Sequence, residues 1–217
     1  MRFRPLHFLA VACLLGLATS CQKKEKEYKA LISTDYGDIT VLLYNSTPKH
    51  RDNFIKLVKD GYYNGTLFHR VIPNFMIQGG DPQSKTAAPG VLLGAGGPGY
   101  EIDAEIGAPH IRGALAAART DNPGKKSSGS QFYIVTGQQV TADMLNQMEQ
   151  MKHIKYNDAQ RELYLKEGGY PTLDMEYTVF GEVLSGLDVV DKISQVARDE
   201  NNRPATDVKM SIKLIEQ

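Results

Sequence analysis

The 217-residue chain contains no tryptophan and only two cysteines, Cys13 and Cys21. Everything beyond residue 21 lacks a thiol, which excludes an internal disulfide framework, a cysteine nucleophile and a thiolate metal site there. Charge of either sign is not in excess, because 25 Lys and Arg balance 25 Asp and Glu. No basic stripe suggests a nucleic-acid partner. G-x-S-x-G and H-E-x-x-H are missing, and His50, His69, His110 and His153 are scattered. A metal site is therefore not expected, and a hydrolase would lack an evident nucleophile. Gly94-Ala95-Gly96-Gly97-Pro98-Gly99 does satisfy G-x-G-x-x-G. A dinucleotide site needs a helix opening at those glycines, whereas Pro98 and the strand-like Tyr100-Glu101-Ile102 follow; the stretch reads as a loop, and no cofactor is expected.

Long apolar runs are also scarce. Phe8 to Ala18 is 11 residues behind Arg2 and Arg4, shorter than the about 20 that a spanning helix needs and shaped like the core of a secretory signal. Leu17-Ala18-Thr19-Ser20-Cys21 then places small residues before a cysteine, similar to a bacterial lipoprotein signal. This organisation makes residues 1–20 a signal peptide, Cys21 the lipidated first residue, 21–27 a charged tether and 28–217 the folded domain. A simple cleaved signal with an incidental cysteine is the alternative. Gln22 is not the aspartate that often retains lipoproteins at an inner membrane. The expected location is the bacterial cell envelope, with a membrane anchor on the periplasmic face of the outer membrane.

In the folded part, residues 29–34 and 39–44 read as two strands around a turn at residues 35–38. Thr47 as N-cap, Pro48 at the first helical position, the stripe Phe54, Leu57 and Val58, and Gly61 delimit a helix. Short strands are expected near 113–118 and 131–135. Leu187, Val190, Ile193 and Ala197 have helical spacing, and Val208, Met210, Ile212 and Leu214 alternate as a last strand. Many short strands with a helix near each end predict a mainly β fold, a closed antiparallel barrel capped by two helices. Residues 138–172 differ in character. Met144, Leu145, Met148 and Met151 recur at helical spacing behind Thr141, and 159–166 make a second helical run ended by Gly168-Gly169. This is an inserted helical hairpin, its methionines read as packing.

The segment from Phe68 to Asp81, FHRVIPNFMIQGGD, sets Arg70 among apolar residues. Strand parity puts Phe68, Arg70 and Ile72 on one face and His69 and Val71 on the other. An arginine there either snorkels at a rim or serves a ligand, since it cannot shed its proton. Rotation about an X-Pro amide needs neither nucleophile nor metal. Its barrier is about 18–20 kcal/mol. At the twisted transition state the prolyl nitrogen regains a lone pair, which a fixed cationic donor stabilises.

These features meet in a resemblance. FHRVIPNFMIQGGDP at 68–82, GPGYEIDAE at 97–105, GALAAAR at 113–119, SGSQFYI at 128–134 and LDMEYTVFGEV at 173–183 stand in the order of the cyclophilin-type peptidyl-prolyl cis-trans isomerases. The chain resembles that family, of the bacterial sort, over about residues 28–217. The resemblance implies a cyclophilin-like barrel and isomerase activity, with Arg70 as the catalytic arginine and Gln78 orienting it. Phe75 and Met76 would line a proline pocket, with Tyr133 where the family usually has phenylalanine and Leu173 at the rim. Ala118 and Arg119 would lie where a strand pairs with the peptide, and Gln131 would touch substrate. Tyr177 would bind substrate as well, where a histidine beside the pocket aligns; since a rim tryptophan also aligns with Thr172, weak cyclosporin binding is expected. Implied partners are proline-containing polypeptides, bound by a monomer. A holdase using the same groove without essential catalysis is the rival.

Overall fold

The computed structural model describes residues 26–215. The expected signal, Cys21 and the tether up to residue 25 lie outside the described residues. Tyr28–Thr34 (β1) and Gly37–Leu43 (β2) pair antiparallel about a tight turn at Asp35 and Tyr36. Six further strands join them: Thr66–Ile72 (β3), Met76–Gly79 (β4), Ala114–Ala117 (β6), Phe132–Val135 (β8), Val179–Ser185 (β9) and Lys209–Ile215 (β10). The eight close into a barrel of order β1-β10-β3-β4-β8-β6-β9-β2, while Glu101–Ile102 (β5) and Ser127–Ser128 (β7) form a separate ribbon. Closure leaves the barrel no free edge.

Alternation along the strands divides two apolar clusters. Ile77, Leu115, Ala117, Phe132 and Ile134 point into the barrel with Ile32, Val41 and Val208, all of them buried. Their neighbours Met76, Ala114, Ala116, Tyr133 and Val135 form a second cluster on the outer face. Helices Pro48–Lys59 (α1) and Leu187–Ser194 (α4) add Phe54, Leu57, Val190 and Ile193 to the inner cluster, as the two expected caps.

Strict parity fails in three strand pairings, β2–β9, β6–β9 and β3–β4, and the last bears on the outward row at Arg70. Phe68 pairs with Gly79 but Arg70 with Gln78, so β3 uses one residue more than β4 and bulges. Phe68 therefore enters the inner cluster, and Arg70 shares the outer face with Ile72 and Met76. The expected common face of Phe68 and Arg70 is corrected by that extra residue.

The cap of α1 is also not the expected one. Thr47 makes no side-chain bond to the helix; its hydroxyl donates to the Tyr44 carbonyl. Glu105, far along the chain, accepts instead from the backbone N–H groups of Lys49 at 3.1 Å and His50 at 3.0 Å. A carboxylate is a stronger acceptor than a hydroxyl and favours the positive end of the helix dipole.

The inserted hairpin is present as Ala142–Lys152 (α2) and Asp158–Glu167 (α3), with Thr141 accepting from the Met144 N–H as cap. Leu145 and Met148 pack with Val140, Tyr156 and Tyr164 in a small core of their own. Met151 is 67% exposed, so the methionine stripe is only partly packing. At the neck Gln138 and Gly169 exchange backbone hydrogen bonds of 3.0 Å. A Cβ on Gly137 would stand 2.7 Å from the Gly169 Cα, which is why glycine is required there.

Glu105→Gln is expected to cost about 1–2 kcal/mol at neutral pH, read from the midpoint of denaturant unfolding. The Glu105 carboxyl sits below its ordinary value: desolvation opposes this and is outweighed by hydrogen bonds from the His50 ring and the two N–H groups. Its contribution is complete above the unfolded value of about 4.3, and it disappears as pH falls through the lower folded-state value. The two proteins should then unfold alike.

Candidate active site

The register places the outward residues in one row across four strands. Arg70 on β3 faces Gln78 on β4, Gln78 faces Tyr133 on β8, and Tyr133 faces Ala116 on β6. Alanine at 114, 116 and 118 keeps that part of the outer face low. A hollow of about 120 Å³ results, lined by Arg70, Phe75, Met76, Gln78, Ala118, Arg119, Tyr133, Leu173 and Tyr177. Nine of the ten expected pocket residues thus meet in one cavity. Gln131, the tenth, lies in the adjoining polar groove of about 490 Å³ with Gly94, Gly96, Tyr100 and Ser128. Gln78, Ala118 and Arg119 belong to both.

Arg70 is half-buried and pairs with no carboxylate among the described residues; its Nη1 donates to Gln78 Oε1 at 3.3 Å, and the guanidinium stands 5.8 Å from the Phe75 ring centroid. Burial lowers its pKa from the usual guanidinium value, but the group remains charged. Beyond Gln78 every amide has a fixed direction. Gln131 Nε2 donates to the carbonyls of Gly94 at 2.8 Å and Gly96 at 2.7 Å, which leaves its Oε1 to accept from Gln78 Nε2 at 3.1 Å. The Gln78 oxygen must then face Arg70, because carbonyls only accept. Both amide protons of Gln131 are spent on the loop, so it acts as an anchor, and Gln78 keeps one proton for a ligand.

Asp81 completes the support and was not singled out by its sequence position. It is fully buried and accepts from the N–H groups of Gln83, Gly94 and Gly96 at 2.8, 2.6 and 3.2 Å. Its only local signal was the Asp-Pro that opens the short 3₁₀ turn Pro82–Lys85. His69, buried beneath the Gly94 loop, is held neutral by burial, its pKa lowered to about 4.

On the other rim, Arg119 lies 4.8 Å over the Tyr177 ring and donates to the Glu176 carbonyl and carboxylate at 2.9 and 3.2 Å. Ala118 spends its N–H on the Gln131 carbonyl and its C=O on the Ser128 N–H. The backbone here that can pair with an extended ligand is that of Arg119.

The fold does assemble a serine, a histidine and an acid. His50 Nε2 is 3.0 Å from Ser127 Oγ, and its Nδ1 is 2.7 Å from Glu105 Oε2. Ser127 and His50 are only 1% and 2% exposed, and the cavity beside His50 is about 10 Å³. Nothing the size of a substrate reaches them, so the trio ties α1 to the β7 ribbon. Acyl transfer is excluded there.

Comparison with known proteins follows the same line. The model of the family "Cyclophilin type peptidyl-prolyl cis-trans isomerase/CLD" matches residues 29–213. A Staphylococcus saprophyticus protein named as a peptidyl-prolyl cis-trans isomerase is 36% identical over 192 residues, covering 88% of this chain and 93% of its own. A similarly named Staphylococcus aureus protein is 36% identical over 186 residues, covering 85% and 90%. Among solved structures, a Cryptosporidium parvum cyclophilin-type isomerase superposes with a TM-score of 0.65 at 26% identity, over 88% of this chain and 99% of that one. A second structure of it, in the presence of the dipeptide Ala-Pro, gives 0.64 at 26% identity over 87% and 99%.

Asp81→Asn leaves one oxygen for three backbone donors. It is expected to raise hydrogen exchange at Gly94 and Gly96 by at least about tenfold and to cost about 1–3 kcal/mol of stability. Unchanged exchange at both glycines would show that the loop is held by something else.

Proposed function

Because the chain belongs to the cyclophilin-type peptidyl-prolyl cis-trans isomerases, we propose that it is a lipid-anchored isomerase that turns X-Pro bonds in exported polypeptides at Arg70 and so assists their folding. The observation that carries the site assignment is the half-buried Arg70 guanidinium, held by Gln78 beside a hollow that Phe75, Met76 and Leu173 help to line and without a counter-charge among the described residues. In the reading proposed here the prolyl ring enters the hollow between Phe75, Met76, Tyr133 and Leu173. The backbone before it runs along Arg119 and the polar groove, and the free proton of Gln78 meets a carbonyl.

Arg70 then donates to the prolyl nitrogen as the amide leaves planarity. The nitrogen is a poor acceptor while resonance holds and a good one at the twisted geometry, so the bond forms mainly in the transition state. No proton is transferred and no covalent intermediate is needed. A rate gain of about 10⁵ asks for roughly 7 kcal/mol of such differential binding. Exchange that takes tens to hundreds of seconds unaided becomes fast enough to accompany folding. One structure of the Cryptosporidium parvum relative was determined in the presence of the dipeptide Ala-Pro, and a ligand of the same chemistry is proposed for this chain.

Location is proposed from sequence. Small residues before Cys21 and the charged run behind it suit a lipidated N-terminus that holds the barrel off a membrane surface. The clients are then unfolded or flexible segments in the envelope.

Arg70→Ala is expected to lower kcat/KM on an Ala-Pro peptide by about 10²-fold or more, with peptide affinity by NMR titration changed far less. Rates indifferent to the substitution would leave the groove to a holdase. For the anchor, Cys21→Ala should move the protein from the membrane to the soluble fraction; a wild-type protein whose intact mass carries no lipid would end that part of the proposal.

A further inference from the structure

Tyr133 lines the hollow with its ring, but its hydroxyl points away from it, 3.0 Å from His110 Nε2. The two rings lie nearly parallel, at 13°. His110 is fully buried, and its Nδ1 stands 2.8 Å from Asp174 Oδ1, which also accepts the His110 backbone N–H at 2.7 Å. The other oxygen, Asp174 Oδ2, accepts from the hydroxyls of Tyr156 and Tyr164, each at 2.6 Å. Tyr164 is on α3, and Tyr156 lies in the link between α2 and α3. Four donors thus saturate one carboxylate that is 3% exposed, and two of them come from the inserted hairpin.

The direction of each bond follows from chemistry. A carboxylate only accepts, so Nδ1 carries the imidazole proton, and Nε2 accepts from the Tyr133 hydroxyl. Burial lowers the His110 pKa and raises that of Tyr133 well above its ordinary value, so neither group changes charge near neutrality. The chain of groups carries position, not protons. A saturated buried network has one low-energy arrangement, and removing a donor leaves a buried acceptor unpaired.

We propose that the His110–Asp174 pair is a positioning unit for the Tyr133 wall of the proline pocket, and that the inserted hairpin, through Tyr156 and Tyr164, holds this unit and thereby sets how closely the pocket fits a prolyl ring. The hairpin is then a part of the isomerase site placed outside the barrel. A second attachment agrees with this role: Lys152, the last residue of α2, donates to the carbonyls of Thr172 and Asp174 at 2.8 and 2.6 Å, on either side of the rim residue Leu173.

The inference rests on the isomerase reading, and a mutant cycle separates the two. In the full-length chain, Tyr156→Phe with Tyr164→Phe removes both hairpin donors while keeping both rings. On an Ala-Pro peptide this pair is expected to lower kcat/KM by about tenfold, mostly through KM, less than the roughly 10²-fold of a 1 Å misplacement at the reacting centre. In a Tyr133→Phe background, where the bond to His110 is already cut, the same pair should change kcat/KM by less than about twofold. Equal losses in both backgrounds, or no loss in either, would overturn the positioning role while leaving an active wild type as an isomerase. A wild type without isomerase activity would overturn both. Thermal unfolding checks that each variant is folded; if the double variant is not, Tyr156→Phe alone is compared in the two backgrounds with the same expectations.

Discussion

A guanidinium cannot discard its proton, so it cannot face the dry interior of a closed barrel, and the bulge between Phe68 and Arg70 decides which way the charge points. Without the extra residue, the pairing that sends Phe68 inward would send Arg70 inward as well. With it, Phe68 fills the core and Arg70 turns to the outer face beside Met76 and Gln78. The outward row on the neighbouring strands is placed relative to Arg70. Gln78, Tyr133 and Ala116 follow in register across β4, β8 and β6, where pairing is continuous.

Register alone gives position along a strand but not the orientation of a flexible side chain. That is supplied by a chain of amides whose directions are forced one by one, from the carbonyls of Gly94 and Gly96 through Gln131 and Gln78 to Arg70. Asp81 fixes the far end by holding the loop from below. The reaction assigned to the site asks for little beyond this. A donor already in place need not reorganise when the amide twists, and such preorganisation is the main catalytic resource where no bond to the protein is made.

How much of this was legible in the sequence depends on how local the cause was. The β1–β2 hairpin, α1, α4 and β10 were readable because turn residues, Pro48 and apolar spacing act within a few positions. The pocket residues were readable because motif order in a resemblance carries long-range register that periodicity does not. What escaped were contacts between distant segments. Glu105 caps a helix 55 residues upstream of it, at His50, so the local signal at Thr47 misled. The bulge at His69 has no side-chain signature, and parity read straight through it gave the wrong face for Phe68. Asp81 is one aspartate among many until its three backbone donors are folded around it.

The two buried histidine–acid pairs show why residue type alone does not identify a site. His50 with Glu105 and His110 with Asp174 are built alike: in each, the acid takes Nδ1 and leaves Nε2 for a hydroxyl, at 3.0 Å in both. Chemistry and burial are nearly the same, so neither can separate their roles. The difference is what the hydroxyl belongs to. Ser127 is buried, with only about 10 Å³ of cavity beside its His50 partner, and does no more than tie elements together. Tyr133 carries its ring into the hollow where the prolyl group is assigned, so any shift in His110 is passed to the pocket wall. A buried polar network becomes relevant to function when one of its members also has a surface that a ligand can touch, and the inserted hairpin gains its influence by joining the network at the end farthest from that surface.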